Sequence, residues 1–333
     1  MNKKVITILQ YVFFLGLGIF LVWWSARDID EHGWKEIKNS IAHANFWVLF
    51  PVLSILFLSH WIRALRWIIL MEPLGYKPKK SNTFFAVMIG YLANLAVPRL
   101  GEVLKCTLLA RYEKIPAEKL VGTMILERAI DVISLLIVII LTIITQTEVF
   151  SEFISQYFSF KDFQWKSLMS YKILLIIIGA SLLAYFISKY FLFRFKRIKL
   201  IHNINKLLRG VFQGLFSIRR IQHKALFFFY SISIWGLYYL STYLGLSALN
   251  ETSVLGLTET LSVLSFGSIG MIVTQGGIGA YQIIIQKTLL LYDISANIGL
   301  ACGWLLWLAQ TFVVLFLGLI SFVLLPIYNR KKV

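Results

Sequence analysis

Cysteine and histidine are scarce in this chain, and those present do not form the patterns that metal sites require. Among its 333 residues there are two cysteines and five histidines. Cys106 and Cys302 lie far apart in apolar surroundings, which indicates small packing residues rather than ligands. The histidines are scattered without metal-ligand spacing, at positions 32, 43, 60, 202 and 223. We therefore predict no metal site.

Sequence motifs of nucleotide binding and nucleophilic catalysis are lacking as well. The glycine-rich stretch 275–282 has no following Lys-Ser or Lys-Thr pair, no βαβ setting and no trailing acid. These absences exclude a P-loop and a dinucleotide-binding fold. No Ser-His-Asp set and no pair of catalytic carboxylates is favoured by the sequence. The sequence therefore does not favour an enzyme and implies no cofactor. Without a P-loop, any transport would be driven by gradients or run downhill.

Apolar residues dominate the chain instead, at 58% of the total. Soluble domains contain roughly 45–50% apolar residues even when glycine is counted. The excess forms blocks long enough to span a hydrocarbon core, which takes about 20 residues of helix. Charged residues gather between these blocks. The pattern predicts an all-α polytopic membrane protein, with residues 1–333 forming a single transmembrane domain.

The net charge of +17 would in a soluble protein suggest binding to nucleic acid. Here the basic residues lie beside apolar blocks, where they orient a membrane protein and attract anionic lipid. We therefore predict membrane lipids with an anionic or lipid-linked head group as partners, and no nucleic acid. A membrane homo-oligomer and a partner enzyme both stay open.

Six apolar blocks are predicted to cross the membrane fully. They cover residues 5–25, 46–70, 121–145, 171–189, 226–249 and 298–325. The first block ends in Trp23-Trp24 without a cleavage site, so an uncleaved helix is favoured over a signal peptide.

Basic and acidic loops alternate between these spans. The loop 26–45 is net acidic, whereas the segment 190–224 is strongly basic and contains no acid. This alternation predicts a multi-pass protein of the cell (inner) membrane with both termini in the cytoplasm and an extracytoplasmic loop at 146–170. Apolar residues recur every three or four positions within 190–224, which indicates an amphipathic helix on the inner leaflet; a solvated linker is the alternative.

Two further apolar stretches, 82–110 and 258–291, are predicted to be hairpins or re-entrant segments. The first breaks at 98–102 between basic flanks, so it enters and leaves on the cytoplasmic side. The second breaks at 275–279 between acidic flanks, so it enters from outside. Its arms are long enough to cross fully, and that alternative stays open. Spans and hairpins together make about eight membrane segments.

The order of segments suggests two related halves. Residues 5–145 and 171–325 each run span, span, hairpin, span, and they start on opposite sides of the membrane. This order predicts an inverted-topology repeat, in which broken segments of both halves meet near the midplane and build the substrate site. Because the halves share no evident residue-level similarity, coincidence among apolar segments is the alternative.

Ionisable residues inside apolar spans cost about 2.5–3.5 kcal/mol each on insertion scales, so their presence is informative. The first such cluster lies at the inner end of the second span and contains His60, Arg63, Arg66 and Trp67. Arginine's planar fork is suited to hold a phosphate, which makes this cluster a candidate clamp. An ordinary interfacial anchor of arginine and tryptophan is the alternative.

The second cluster surrounds the break in the first hairpin. It comprises Asn94, Pro98, Arg99, Gly101, Glu102 and Lys105. A helix that begins near Pro98 would present backbone N–H groups to an anion, and Arg99 and Lys105 would add positive charge. A plain cytoplasmic turn is the alternative, although Asn94 within the apolar arm argues against it.

The third cluster lies near the start of the third span. Glu127, Arg128 and Asp131 have apolar neighbours on both sides, so they should pair inside the bundle and neutralise Arg63, Arg66 or Arg99. A buried structural network is the alternative to a switchable network or a proton site.

The glycine-rich stretch of the second hairpin is predicted to form a tight break that lets backbone approach backbone or ligand. Its candidate residues are Gln275, Gly276, Gly277, Gly279, Tyr281 and Gln282.

Four motifs occur in this order along the chain: Arg63-x-x-Arg66-Trp67, Asn94-x-x-x-Pro98-Arg99-x-Gly101-Glu102, Glu127-Arg128-x-x-Asp131 and Gly276-Gly277-x-Gly279-x-x-Gln282. Together they resemble the lysylphosphatidylglycerol synthase transmembrane-region family, also called flippase-like, over roughly residues 5–325. The resemblance implies about eight membrane segments and, in the lysyl-lipid synthases, movement of aminoacylated phosphatidylglycerol between leaflets. Synthases carry an added soluble transferase domain, which we expect to be missing here, so synthase activity is not carried over.

These observations favour a lipid flippase or transporter. In this hypothesis Arg63, Arg66, Arg99 and Lys105 hold the phosphate of a head group in a polar cavity between the hairpins. The third cluster sets the charge of the cavity, and the glycine-rich stretch forms the opposite gate. A membrane transferase or accessory subunit acting on a lipid-linked substrate, and an ion-coupled transporter of small solutes, are the alternatives.

Overall fold

The computed structural model describes residues 29–97, 99–147 and 219–330, together with Gly16, residues 20–24 and Arg27. In these residues all regular structure is helical, and no strand occurs among them. Their α-helices are α1 (Glu31–Ala42), α2 (Leu49–Met71), α3 (Lys80–Ala96), α4 (Leu100–Glu113), α5 (Ala117–Thr145), α6 (Lys224–Leu246), α7 (Leu257–Val273), α8 (Ala280–Leu290) and α9 (Ala296–Tyr328).

Four stretches of helix in this part of the chain are long and apolar enough to cross a membrane. They are Phe46–Leu74 (α2 with its 3-10 ends), α5, α6 and α9, with 29, 29, 23 and 33 residues. They correspond to the predicted spans 46–70, 121–145, 226–249 and 298–325. The prediction of a polytopic all-α membrane protein is thereby confirmed.

Other predicted segments lie wholly or mostly outside the described residues. They are the spans 5–25 and 171–189, the extracytoplasmic loop 146–170 and the basic segment 190–224. Their number and course stay predictions, as does the division of the single domain into two repeats.

The outward faces of the spanning helices are apolar. Along α9, Phe312, Phe316, Leu319 and Phe322 are each more than half exposed. In water such a contiguous apolar surface would drive association, whereas the hydrocarbon of a membrane solvates it well. The helix therefore presents a lipid-facing surface.

The first predicted hairpin is present as α3 and α4, which pack against each other and are joined by a turn that includes Val97 and Arg99. Backbones approach closely where Gly90 faces Gly101, because neither residue carries a side chain there. Arg99 closes the turn with a φ of 63°, a left-handed conformation that is unusual for a residue other than glycine.

The second predicted hairpin is present as α7 and α8. They are joined through a 3-10 turn at Gln275–Gly277. Gly276, Gly277 and Gly279 all have positive φ, at 63°, 74° and 77°, which explains the need for glycine at this break. Whether this hairpin is re-entrant or crosses fully stays open.

The two hairpins extend from opposite ends of the bundle. Asn82, at the base of the first hairpin, exchanges side-chain hydrogen bonds of 2.8 and 3.1 Å with Asn329, just after the end of α9. The base of the second hairpin instead adjoins the start of α9, since only residues 291–295 separate α8 from α9. The turns of both hairpins therefore point into the bundle.

The predicted acidic loop 26–45 contains a helix that the sequence analysis missed. Helix α1 begins after Asp30, whose side chain accepts the N–H of Gly33 at 2.7 Å. Glu36 on α1 accepts hydrogen bonds from Ser295 and Asn297, at 2.5 and 2.8 Å. The short helix is thus held against the start of α9, and this tertiary contact has no local sequence signal.

We expect Gly90→Ala to weaken the packing of the first hairpin. A Cβ at Gly90 would lie 2.9 Å from the carbonyl oxygen of Gly101, which is too close to be accommodated without a backbone shift. The free energy of unfolding should fall by about 1–3 kcal/mol. Gly236→Ala on α6 is the matched control, because a Cβ there meets no atom within 4 Å. Thermal unfolding in detergent checks both, and equal midpoints would contradict the packing argument.

Candidate functional site

Asp131 on α5 binds two arginines of α2. Its Oδ1 accepts a hydrogen bond from Arg66 Nη2 at 2.6 Å, and its Oδ2 accepts one from Arg63 Nη1. The two arginines are three residues apart, so they lie on one face of α2. The expected neutralisation of Arg63 and Arg66 by acids of the third span is seen in the structure.

Glu127 lies one helical turn before Asp131 and is 1% exposed. Its Oε2 accepts a hydrogen bond from Lys105 Nζ at 2.7 Å. Its Oε1 lies 3.6 Å from Arg63 Nη1 and 3.7 Å from Arg66 Nη2. Three cations from α2 and α4 therefore surround one buried carboxylate, and without them its burial would be strongly unfavourable.

Neutral side chains also contact these charged groups. Lys105 Nζ lies 4.5 Å from the centre of the Trp67 ring, a cation–π distance. The Trp67 Nε1–H donates to Thr123 Oγ1 at 3.0 Å, and Arg63 Nη2 donates to the hydroxyl of Tyr238 at 3.2 Å. Sequence reasoning missed Thr123 and Tyr238, since their partners are distant in sequence and no local pattern marks them.

These ion pairs change the role of the cations that were predicted to hold a phosphate. Arg63, Arg66 and Lys105 already bind carboxylates, and their side chains are only 6%, 0% and 3% exposed. They form the buried floor of the site, so a head group would have to meet other cations first. We name Arg63, Arg66, Lys105, Glu127 and Asp131 the ion cluster.

Arg128 and Glu102 lie at the more exposed edge of the ion cluster. Arg128 Nη2 donates to Glu102 Oε1 at 3.2 Å, and their side chains are 40% and 22% exposed. The same oxygen of Glu102 accepts a bond from Asn94 Nδ2 at 3.2 Å. The structure thus brings together the predicted residues of the second and third clusters.

The start of α4 is partly capped from within the protein. Asn94 Oδ1 accepts the N–H of Gly101 at 2.7 Å, so this donor is not available to an anion. Arg99 is exposed and forms no hydrogen bond or ion pair with another residue that the structure describes. Pro98 lies outside the described residues. Arg99 is therefore the cation of this turn that stays accessible.

The turns of the two hairpins touch each other. Gln275 Nε2 donates to the backbone carbonyls of Asn94 and Leu95, at 3.4 and 3.2 Å. The carbonyl of Gly276 accepts a bond from Trp307 Nε1 on α9 at 2.7 Å. A hairpin from each end of the bundle thus meets the other beside α9, about a third of the way along that helix.

The remaining predicted residues of the second hairpin pack helices together. A Cβ at Gly277 would lie 2.5 Å from Met271 Sδ on α7, and Tyr281 packs against Gly267 and Gly270 of the same helix. The backbone of Gln282 lies against Gly303 of α9. Gln282 is fully buried, and its amide has no hydrogen-bond partner among the described residues. A binding role for Gly279, Tyr281 and Gln282 stays a prediction.

Positive charge exceeds negative charge at the site. The ion cluster together with Arg128 and Glu102 contains four basic and three acidic side chains. Several buried N–H groups have no hydrogen-bond partner among the described residues: Arg63 Nε, Arg66 Nε, Arg66 Nη1 and Arg128 Nε. Buried donors without acceptors are costly, and the excess positive charge at the half-exposed edge of the site suits an anionic or hydrogen-bond-accepting group.

We expect Glu127→Gln to destabilise the protein strongly. The change leaves Lys105 without its carboxylate and adds a second uncompensated positive charge to the site. Breaking a buried ion pair in this way costs about 3–5 kcal/mol. The measurement is the unfolding midpoint of the purified protein, with Glu118→Gln as the control on the first turn of the same helix.

A double variant, Glu127→Gln with Lys105→Met, tests the cause of that loss. Removing both partners should restore part of the stability that the single change removes. Additive losses would contradict the pairing of Lys105 with Glu127.

A comparison with known proteins tests the family resemblance that the four ordered motifs suggest. The family model described as lysylphosphatidylglycerol synthase TM region matches residues 8–318. No curated protein matches the chain, and no solved structure does. The match confirms the resemblance inferred from the sequence and links this membrane protein to lipid handling. The chain belongs to the lysylphosphatidylglycerol synthase transmembrane-region family.

Proposed function

We propose that the protein is a lipid flippase or lipid transporter, which moves a phospholipid or a lipid-linked head group between the leaflets of the cell (inner) membrane. The observation that carries the proposal is the ion cluster with its edge pair: seven charged side chains, one positive charge in excess, within a bundle of apolar helices. Charged side chains are costly inside the hydrocarbon of a membrane, and where they occur they usually mark a functional site.

An anionic head group matches this site in charge and in hydrogen bonding. Its phosphate would offset the excess positive charge and accept bonds from arginine N–H groups, which bind phosphate with two parallel bonds. Arg99 is exposed and Arg128 is half-buried at the edge, so these two cations would contact the phosphate first. The ion cluster beneath them would hold the electrostatic potential positive.

The opposed hairpins supply a route between leaflets in this proposal. Each hairpin rises from one end of the bundle, and the turns meet at Gln275 and Asn94. An inverted-topology repeat would place such a contact near the midplane, where it separates the two access paths. If the turns separated first toward one leaflet and then toward the other, the site would be exposed to each leaflet in turn.

The proposed orientation follows the charge at the two ends of the bundle. The end that carries Lys79, Lys80, Lys114 and Arg330 would face the cytoplasm, because positive charge favours that side. Both termini would then be cytoplasmic. The acidic end near Glu251 and Asp293 would face outward.

We expect Arg99→Ala to slow lipid movement without unfolding the protein. The purified full-length chain is reconstituted in liposomes, and transfer of a fluorescent phospholipid from the inner to the outer leaflet is followed. Arg99 is exposed and unpaired among the described residues, so its loss removes a head-group contact and little else. The rate should fall roughly tenfold or more, the effect of one charge-assisted bond.

Arg111→Ala is the matched control for this assay. Arg111 is an exposed arginine in the last turn of α4, at the opposite end of the same helix from Arg99. It should leave the rate within about twofold of the original, as surface changes usually have small effects. Absence of lipid movement by the unaltered protein, or equal rates for Arg99→Ala and Arg111→Ala, would refute the proposal.

A further inference from the structure

We infer that Arg128 and Glu102 form an exchangeable ion pair, in which the phosphate of a lipid head group replaces Glu102 on Arg128 and thereby loosens the contact between the two hairpin turns. This inference rests on the proposed function and specifies how the same site would be opened. It concerns one contact path, from Arg128 through Glu102 and Asn94 to Gln275.

The Arg128–Glu102 pair differs from the other pairs of the site. Asp131 and Glu127 each accept a bond of 2.7 Å or shorter from a nearly inaccessible cation. Arg128 and Glu102 are joined at 3.2 Å, and 40% of the Arg128 side chain is exposed. Partly exposed ion pairs contribute little stability, so a stronger acceptor can displace Glu102. A phosphate that accepts two parallel bonds from the guanidinium is such an acceptor.

Displacement of Glu102 has a consequence for Asn94. Glu102 Oε1 accepts from both Arg128 and Asn94, so movement of this carboxylate removes one of two side-chain bonds that tie Asn94 to α4. The bond from Gly101 N–H to Asn94 Oδ1 is then the one side-chain bond that still joins Asn94 to α4 among the described residues.

The end of α3 is also the point where the second hairpin is attached. Gln275 binds the carbonyls of Asn94 and Leu95, at 3.4 and 3.2 Å, both near the upper limit for a hydrogen bond. A small shift of these carbonyls therefore breaks the contact. Head-group binding at Arg128 is in this way coupled to separation of the turns.

The distance between the turns can be measured directly in the full-length protein. Ala96→Cys and Ile272→Cys place spin labels on exposed positions at the ends of α3 and α7. The native cysteines Cys106 and Cys302 are buried and are replaced by alanine. Distances are recorded in a maltoside detergent, which contains no phosphate, and after addition of phosphatidylglycerol, phosphatidylcholine or inorganic phosphate.

We expect phosphatidylglycerol to add a population that is longer by roughly 5 Å, the rise of one helical turn. A similar change with inorganic phosphate would show that the phosphate group suffices; a change with lipid alone would show that the acyl chains are also needed. An unchanged distance distribution in all three additions overturns the inference.

Three variants separate exchange from a merely structural role. Glu102→Gln removes the competing charge, so the amount of phosphatidylglycerol for half of the distance change should fall by roughly two- to fivefold. Arg128→Gln should abolish the response, and Arg128→Lys, which keeps the charge but loses the fork, should weaken it. Glu118→Gln is the control and should respond like the unaltered protein. A higher lipid requirement for Glu102→Gln contradicts the exchange.

Lipid movement by the same variants separates this inference from the proposed function. If the unaltered protein moves lipid while its turn distance never changes, this inference fails and the proposed function stands. If lipid changes the turn distance but no lipid is moved between leaflets, the proposed function fails and the exchange stands as a binding event.

Discussion

Two carboxylates of α5 hold three cations from α2 and α4 inside the bundle, and the arrangement of the site depends on this interaction. Glu127 and Asp131 are on successive turns, so together they fix the position of Arg63, Arg66 and Lys105. The helices that carry these side chains cannot move apart without separating buried charges, which is costly in a low dielectric. The ion cluster therefore holds α2, α4 and α5 together at the buried floor of the site.

Above that floor the contacts become weaker and more exposed. The bonds lengthen from Lys105–Glu127 at 2.7 Å, through Arg128–Glu102 at 3.2 Å, to Gln275–Asn94 at 3.4 Å. In the proposed function the first of these contacts fixes charge and the last one opens. Both are needed there, because the site must keep its charges while access to it changes sides.

The sequence was sufficient to predict the class of fold and the positions of both hairpins. Long apolar blocks give spans directly, and Pro98, Gly101 and the glycines of 276–279 mark the breaks. It was also sufficient to single out the charged residues, because lipid penalises each of them. The pairing among them was not predictable in detail: Asp131 could have bound Arg99 as well as Arg63 on sequence grounds.

Contacts between distant segments account for what sequence reasoning missed. Tyr238 is one of several tyrosines on α6, and only the packing of α6 on α2 brings its hydroxyl to Arg63. The bond from Gln275 to the end of α3 joins residues about 180 positions apart. Helix α1 was missed because its apolar face is short and its partners Ser295 and Asn297 lie far away in the sequence.

The most direct test of this account is a structure of the protein in a lipid nanodisc, which shows both the membrane slab and bound lipid. We expect Glu127 and Asp131 to lie within the hydrocarbon slab, and density for a lipid phosphate beside Arg128 where the two hairpin turns meet. Charged side chains of the site that stand in bulk water outside the slab, with no lipid between the turns, would contradict the account.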